Sequence, residues 1–300
     1  MSKVLLIVGP TASGKSALAV DLAEKYRGEI INGDSVSVYR QLNIGSAKTP
    51  PQQQKGIPHH LLDYVDVEED YSVARFQQDC RAAIAEISER GRLPIVVGGT
   101  GLYIKAMLYD YEFRPSEAES DEDYSRFSNE ELFEMLRKAD EKSAEIIHPN
   151  NRKRVIRALQ IAAGGTPKSE IEAAQRHQPV YDSLIIGLTM DRDNLKKRIN
   201  RRVDAMMEEG LLEEVSRLHE AYPFDLHCFS AIGYREFREY FAGTQTLEET
   251  VELIKTHTRQ FAKRQYTWFN HQLPVSWFDI EEEDYRKKIE EKIEEFLNER

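Results

Sequence analysis

The chain has 300 residues, of which 40% are hydrophobic, enough for one large domain or for a core with a small second domain. No run of residues is long and apolar enough to cross a membrane, and the first residues lack a signal-peptide pattern. We therefore expect a cytoplasmic protein without membrane contact. The net charge of −11 argues against a nucleic-acid binder, but residues 110–145 carry −8 and residues 279–300 carry −5, which leaves +2 for the rest. That remainder could present a basic face.

The cysteine content argues against a disulfide framework and against a zinc site. Only Cys80 and Cys228 are present, and they lie far apart in the sequence without a C-x-x-C pair. This usage is typical of a reducing compartment. We expect both cysteines to be small buried side chains rather than metal ligands.

The first part of the chain contains a phosphate-binding motif in its full structural context. An apolar run at residues 4–8 predicts a buried parallel strand, and an alanine-rich stretch at 17–26 predicts a helix. Between them, the P-loop pattern G-x-x-x-x-G-K-S is formed by Gly9, Pro10, Thr11, Ala12, Ser13, Gly14, Lys15 and Ser16. The glycines allow backbone amides to converge on an anion, Lys15 adds a positive charge, and Ser16 offers a hydroxyl to Mg²⁺. The motif leaves open whether the phosphate belongs to a nucleotide or to another diphosphate.

A carboxylate, Asp34, follows the second predicted strand at residues 29–32. In a parallel sheet this position lies at the same edge as the P-loop, where ligands bind. Asp34 could cap the following turn or face the ligand, and its position favours the ligand. The irregular segment 40–60 comes next and is long enough to be functional.

A second glycine-rich turn, Gly98-Gly99-Thr100-Gly101, follows a third buried strand predicted at residues 93–97. Residues 71–90, before that strand, show the spacing of an amphipathic helix. The turn leads into another helix at the edge of the sheet that carries the P-loop. Thr100 therefore becomes a candidate phosphate contact.

Residues 113–183 predict a helical domain inserted into the α/β core. The acidic stretch 116–123 opens the segment, and helical patterns follow at 129–137, at 140–147, at 151–163 and from residue 169. The third pattern begins with a segment that we call the basic cluster, and its residues are Asn151, Arg152, Lys153, Arg154 and Val155, followed by Arg157. These bases could form an ordinary solvated face or bind an anionic partner, and the pattern leaves both possibilities open.

The core resumes at a strand predicted for residues 184–188. A basic helix follows at 194–210, in which Arg198 and Arg202 lie one turn apart and could close over a diphosphate. A long helix at 248–270 mixes basic and aromatic residues, and we expect its Phe261 and Trp268 to lie in the core. The charged segment 281–298 predicts a solvated terminal helix.

These elements predict an α/β fold, with a P-loop-containing parallel sheet that is covered by helices on both faces. Residues 1–112 and 184–300 would form this core with its C-terminal helices, and residues 113–183 would form the inserted helical domain. Nothing in the sequence suggests a large interface, so we expect a monomer.

Short motifs spread in order over nearly the whole chain form a combination more specific than the P-loop alone. They are DSVSVYR at 34–40, NIGSAK at 43–48, PHHLLD at 58–63, GGTGLY at 98–103, HPN at 148–150 with Arg154 and Val155, IGY at 232–234 and TRQFAKRQ at 258–265. Together with the P-loop, this set resembles the tRNA isopentenyltransferase family, the tRNA dimethylallyltransferases.

The resemblance implies a reaction and assigns residues to it. A dimethylallyl group would pass from dimethylallyl diphosphate to N6 of the adenosine at position 37, in the tRNA anticodon stem-loop. Asp34 would be the general base, Thr100 and Arg202 would act at the diphosphate with the P-loop, and Ser16 would hold Mg²⁺ there. Contacts with tRNA would come from residues 34–37, which are Asp34, Ser35, Val36 and Ser37, from residues 151–155 and from residues 230–235. Val36 and Ser37 stand where the family has Met-Gln, so the contacts of those two side chains do not carry over.

Two other functions also fit the P-loop. A kinase of a small metabolite would use Asp34 to activate a hydroxyl and Arg198 and Arg202 as lid arginines, and it would consume ATP without RNA. A non-enzymatic RNA-binding module gated by a nucleotide would bind tRNA without turning over an allylic donor.

Overall fold

The computed structural model describes residues 1–113 and 123–299, so residues 116–122 of the acidic stretch lie outside the described part of the chain. The chain divides into two compact units, one formed by Met1–Tyr109 with Pro179–Arg300 and the other by Asp110–Gln178. The strands are β1 (Lys3–Val8), β2 (Gly28–Asn32), β3 (His59–His60), β4 (Leu93–Val97), β5 (Asp182–Thr189) and β6 (Ser276–Asp279). The helices are α1 (Lys15–Tyr26), α2 (Val73–Glu89), α3 (Gly101–Leu108), α4 (Asn129–Ala139), α5 (Glu141–Ile146), α6 (Arg152–Ala163), α7 (Lys168–Ala174), α8 (Arg192–Glu208), α9 (Leu211–Ala221), α10 (Phe237–Phe241), α11 (Leu247–Gln272) and α12 (Tyr285–Asn298). None of the helices in the described residues is long and apolar enough to span a bilayer.

The larger unit is built on a parallel sheet with strand order β3-β2-β4-β1-β5-β6. β1 lies between β4 and β5, and its residues Val4 to Val8 are fully buried. Alternate side chains of β1 enter two different clusters, because successive side chains of a strand point to opposite faces. Helices therefore cover both faces of the sheet, and the predicted α/β class is confirmed.

The terminal helix α12 corrects one prediction. Instead of being solvated, it buries Ile289, Ile293 and Phe296 in the cluster that also contains residues of α1. These three positions are spaced i, i+4 and i+7, so they lie on one face of the helix. The acidic and basic residues occupy the remaining faces, which explains why the segment reads as a charged, exposed helix in the sequence.

The smaller unit spans Asp110–Gln178, where the sequence indicated 113–183. Its helices α4, α5 and α6 contribute to a separate apolar cluster that includes Leu132, Leu136 and Leu159. The buried Asp140 holds two of these helices: its carboxylate accepts hydrogen bonds from the Ser143 amide and hydroxyl at the start of α5 and from the Ser169 amide and hydroxyl in α7.

Candidate active site

The P-loop lies between β1 and α1, at the carboxyl edge of the sheet. Gly9 has φ of +135° and Gly14 has φ of +93°, values that only glycine adopts readily. A Cβ atom at Gly9 would lie 2.6 Å from the Leu188 carbonyl oxygen of β5, so the loop passes directly against the neighbouring strand. Both motif glycines are thus required by backbone geometry, and the loop is held in place at the start of α1.

Lys15 is the most perturbed cation of this loop. Its Nζ donates a hydrogen bond to the Pro10 carbonyl oxygen at 2.7 Å. Burial, reinforced by the nearby Arg202 guanidinium and opposed by Asp34, lowers the pKa of Lys15 to about 7. Removal from water disfavours the ammonium form, and a bound anion would restore it.

A cavity of about 320 Å³ opens beside the P-loop, and we call it the donor cavity. It is lined by Ala12, Gly14, Lys15, Ser16, Ala17, Ala47, Lys48, Thr49, Pro50, Gln53, Arg198 and Arg202. The lining holds four cations and no carboxylate. Arg198 and Arg202 make no hydrogen bond or ion pair with other described residues, and burial lowers the pKa of Arg202. Because unneutralised cations converge on a loop of amides, the cavity is suited to a polyanion such as a diphosphate.

Asp34 sits in a second cavity of about 300 Å³, the acceptor cavity. Its Oδ1 accepts hydrogen bonds from the Val36 and Ser37 amides at 2.8 and 3.2 Å, so it caps the turn after β2. Within the described residues, Oδ2 accepts no hydrogen bond. Asp34 therefore caps the turn through Oδ1 and also lines the acceptor cavity, so the two roles considered for it are compatible.

The acceptor cavity is largely apolar opposite Asp34. Its apolar wall is formed by Val36, Ile199, Val203, Met206, Ile232, Ile254 and Phe261. Phe261 is therefore a cavity residue instead of the core residue expected from the sequence. Arg202 lines both cavities, and a smaller space of about 110 Å³ shares Lys15 and Ser16 with the donor cavity and Asp34 with the acceptor cavity. The three spaces form one site with a cationic end and an apolar end.

The second glycine-rich turn supports the acceptor side. Thr100 lines the acceptor cavity, and its Oγ1 accepts from the Ser35 amide at 3.1 Å and donates to Ser35 Oγ at 3.3 Å. A Cβ atom at Gly99 or Gly101 would lie 2.1 or 2.2 Å from the side chains of Gln265 and Trp268, respectively. These glycines thus allow α11 to pack closely on the turn.

Two buried carboxylates that the sequence did not single out hold the loops around the acceptor cavity. Glu214 in α9 accepts hydrogen bonds from the backbone N–H groups of residues 43–45 and from the Tyr234 hydroxyl. Glu236 accepts from the Gly233 amide at 2.9 Å and lies 2.7 Å from His257 Nδ1. Most of these contacts join separate segments, such as Glu214 with residues 43–45 and Glu236 with His257, so no local sequence pattern reveals them.

Lys48 is the fourth cation of the donor cavity, and its ammonium group is already paired within the protein. Its Nζ donates to Asp63 Oδ1 at 2.8 Å, to the Tyr39 carbonyl and to Asn43 Oδ1. Burial lowers its pKa despite the Asp63 carboxylate. The carboxylate of Asp63 is therefore the ion-pair partner of Lys48.

The basic cluster of the inserted unit divides into buried and exposed members. Val155 is fully buried, so its side chain is a core residue that cannot touch RNA. Arg152 donates to the Tyr124 and Ser125 carbonyl oxygens and to Asn129 Oδ1, and so it ties α6 to neighbouring segments. Lys153 and Arg154 are exposed and pair with no carboxylate among the described residues.

The chain is similar to known proteins over most of its length. A family model described as "IPP transferase" matches residues 37–272. The chain belongs to the IPP transferase family. An IPP transferase relative from Anoxybacillus flavithermus, named tRNA dimethylallyltransferase, is 48% identical over 295 residues, covering 96% of this chain and 94% of the relative.

Solved structures agree with this membership. The tRNA isopentenylpyrophosphate transferase of Bacillus halodurans is 42% identical, with a TM-score of 0.76 and coverage of 99% of this chain and 97% of that one. A eukaryotic dimethylallyltransferase acting on tRNA is 32% identical, with a TM-score of 0.83 and coverage of 97% and 78%. The predicted family and the prediction of an enzyme are confirmed, and the kinase alternative is not favoured.

Proposed function

We propose that this IPP transferase moves a dimethylallyl group from dimethylallyl diphosphate to N6 of the adenosine at position 37 of tRNA, next to the anticodon. The observation that carries this proposal is that Arg202 lines both the cationic donor cavity and the apolar acceptor cavity that contains Asp34. Dimethylallyl diphosphate likewise has a charged diphosphate at one end and an apolar five-carbon group at the other.

The donor cavity would stabilise the leaving group. An allylic carbon–oxygen bond breaks readily because the resulting cation is delocalised, and negative charge then develops on the diphosphate. Lys15, Arg198 and Arg202 line the donor cavity beside the P-loop, and they would surround the place where that charge develops. Fixed positive groups of this kind stabilise a transition state without having to reorganise.

Asp34 would complete the transfer on the acceptor side. The adenine amino group forms the new N6–carbon bond, the carbon–oxygen bond of the donor breaks, and the diphosphate leaves with the electron pair. The surplus N6 proton would pass to the carboxylate of Asp34, which lines the acceptor cavity and whose Oδ2 accepts no hydrogen bond from the described residues. A loop adenosine reaches such a cavity only when it is turned out of its stack, which costs less in a loop than in a duplex.

The residues present fit a Mg²⁺ ion that is held mainly by the donor. The described residues contain no cluster of three or more His, Cys, Asp or Glu side chains suited to a metal. Mg²⁺ commonly takes phosphate oxygens, one or two protein oxygens and water. We propose that Ser16, an exposed hydroxyl of the donor cavity, is a protein ligand and that the ion supplies charge neutralisation to the diphosphate.

Contacts with tRNA are proposed at two places. Ser35 and Val36 line the acceptor cavity beside Asp34, together with Ser230 and Arg235. Ser37 is buried and donates towards Asp34, so its contribution is to hold that carboxylate. In the inserted unit, the exposed Lys153 and Arg154 are suited to RNA phosphates.

The test uses labelled dimethylallyl diphosphate with an unmodified tRNA that carries adenosine at position 37, with ATP as the alternative donor. We expect the label to enter that tRNA and to be absent from a matched tRNA with guanosine at position 37. Unlabelled dimethylallyl diphosphate should reduce the incorporation of label by competition. Phosphorylation by ATP, or tRNA binding without label transfer, would refute the proposed function.

A further inference from the structure

Gln265 connects the P-loop to the second glycine-rich turn. Its side chain is 5% exposed, and both of its polar atoms are used. Oε1 accepts a hydrogen bond from the Thr11 backbone N–H at 2.8 Å, and Nε2 donates to the Gly99 carbonyl oxygen at 3.0 Å. A buried amide with both ends satisfied by two separate loops fixes the distance between those loops.

Gln265 packs so closely on the glycine-rich turn that there is no space for a side chain at position 99. A Cβ atom at Gly99 would lie 2.1 Å from Gln265 Nε2, so a larger residue at position 99 would displace the amide. Glycine at this position is therefore explained by the approach of Gln265. The turn serves as a rigid support, on which the amide is held while its other end reaches the P-loop.

On the P-loop side, Gln265 acts on a peptide unit whose two ends are both engaged. The N–H of the Pro10–Thr11 peptide donates a hydrogen bond to Gln265 Oε1. The carbonyl oxygen of the same peptide accepts a hydrogen bond from Lys15 Nζ at 2.7 Å. A peptide unit is planar, so fixing its N–H also fixes the direction of its carbonyl. Gln265, together with the Ser13 amide that donates to the same Pro10 carbonyl oxygen at 3.3 Å, therefore fixes the acceptor that Lys15 uses.

We propose that Gln265 is a positioning residue that orients the Pro10–Thr11 peptide and, through it, the Lys15 ammonium at the donor cavity. The inference rests on the proposed function in so far as a diphosphate is the ligand of that cavity. The same helix, α11, also carries Phe261 and Arg264 in the wall of the acceptor cavity.

The test compares two substitutions of similar size. In Gln265→Glu, the protonated acid keeps an acceptor for Thr11 and a donor for Gly99, whereas the carboxylate loses the donor and adds a negative charge. In Gln265→Met, both hydrogen bonds are lost at every pH. The probe is inorganic pyrophosphate with Mg²⁺, and its affinity is measured by titration calorimetry relative to the wild-type protein at each pH.

We expect Gln265→Met to bind pyrophosphate at least about tenfold more weakly than wild type at every pH, because a buried hydrogen-bonding group is left unpaired. Gln265→Glu should show a similar or greater loss at pH 8 and should recover towards wild type as the pH falls and the buried carboxyl takes up its proton. The KM for dimethylallyl diphosphate should rise by the same factors, while the KM for tRNA changes less than twofold.

Two outcomes would overturn the proposal. One is a Gln265→Glu variant that matches Gln265→Met at every pH, which would reduce Gln265 to a packing role. The other needs no variant: a Thr11 amide that exchanges hydrogen as fast as an unprotected loop amide in the wild-type protein would show that the bond to Gln265 is not maintained. Pyrophosphate binding and amide exchange do not depend on prenyl transfer, so failure of the proposed function is a separate result.

Discussion

Asp34 has a structural role in the turn after β2, and we propose a reactive role for the same side chain. Its Oδ1 caps the turn after β2, and its Oδ2 is left without a hydrogen bond from the described residues. From its position in the sequence, Asp34 was expected either to face the ligand or to cap the turn. Because a carboxylate has two oxygens, one side chain can do both. Substitutions at this residue should therefore be chosen to change one oxygen at a time.

The substitution Asp34→Asn should keep the turn and remove the base. The amide oxygen can still accept from the Val36 and Ser37 amides, but the amide nitrogen cannot take up the N6 proton. We expect kcat to fall by about 10²-fold or more while tRNA affinity stays within threefold. The measurement is single-turnover transfer, and the matched control is Asp66→Asn, an exposed carboxylate paired with Arg40. Transfer at the wild-type rate would remove Asp34 from the mechanism.

Lys15 predicts proton uptake on ligand binding. Because its pKa is lowered to about 7, most Lys15 side chains are uncharged at pH 8 and most are charged at pH 6. A bound diphosphate favours the ammonium and raises that pKa, so binding at pH 8 should take up close to one proton and binding at pH 6 much less.

Calorimetry of pyrophosphate binding in buffers of different ionisation enthalpy measures this uptake. Lys15→Arg is the control, because arginine stays charged in both states and should abolish the additional uptake. Equal uptake by wild type and Lys15→Arg at pH 8 would contradict the assignment to Lys15.

At the scale of elements, the sequence predicts best where periodicity is strong. The buried strands β1, β2, β4 and β5 and the long helices were predicted, because apolar runs and helical spacing are local signals. The short edge strand β3 has two residues, and β6 has four half-buried ones, so neither gives a period long enough to detect.

The position of a side chain within an element depends on tertiary packing. Phe261 and Trp268 were both expected in the core. Trp268 does pack against the main apolar cluster and on Gly101, whereas Phe261 lines the acceptor cavity. The P-loop and Asp34 could be placed from the sequence because strand ends define the sheet edge. Gln265 and Glu214 could not be assigned, since their partners lie in other segments.

The packing of α12 on the sheet predicts a large stability effect from a small truncation. Ile293 is fully buried, and Ile293→Ala should lower the free energy of unfolding by about 2–5 kcal/mol through lost contacts and the cavity left behind. Urea denaturation measures this change. The control is Glu291→Ala in the same helix, an exposed residue whose loss should change stability by about 0.5 kcal/mol or less.

At the scale of the whole molecule, the overall negative charge hides local basic surfaces. The net charge is −11, yet the donor cavity lining contains only cations among its charged residues, and Lys153 and Arg154 are exposed without a described carboxylate partner. Charge summed over a chain therefore says little about a ligand that touches only part of it.

Replacing both Lys153 and Arg154 by alanine should weaken tRNA binding in a salt-dependent way. Each phosphate contact contributes close to one unit to the slope of log K against log salt concentration, so the slope should become shallower by about two units. Binding is measured across a series of salt concentrations, with Lys287→Ala in α12 as the control. An unaltered slope would show that this part of α6 does not contact RNA.

The place of β5 in the sheet has a consequence for synthesis on the ribosome. β1 is paired with β4 on one side and with β5 on the other, and β5 is translated only after the entire inserted unit. A nascent chain that ends before residue 182 therefore carries an incompletely paired first strand, and Gly9 lacks the Leu188 carbonyl against which it packs. The inserted unit has its own helices and its own core, so it can fold from local contacts before β1 has paired with β5. The earliest residues to leave the ribosome are thus among the last to acquire their final shape.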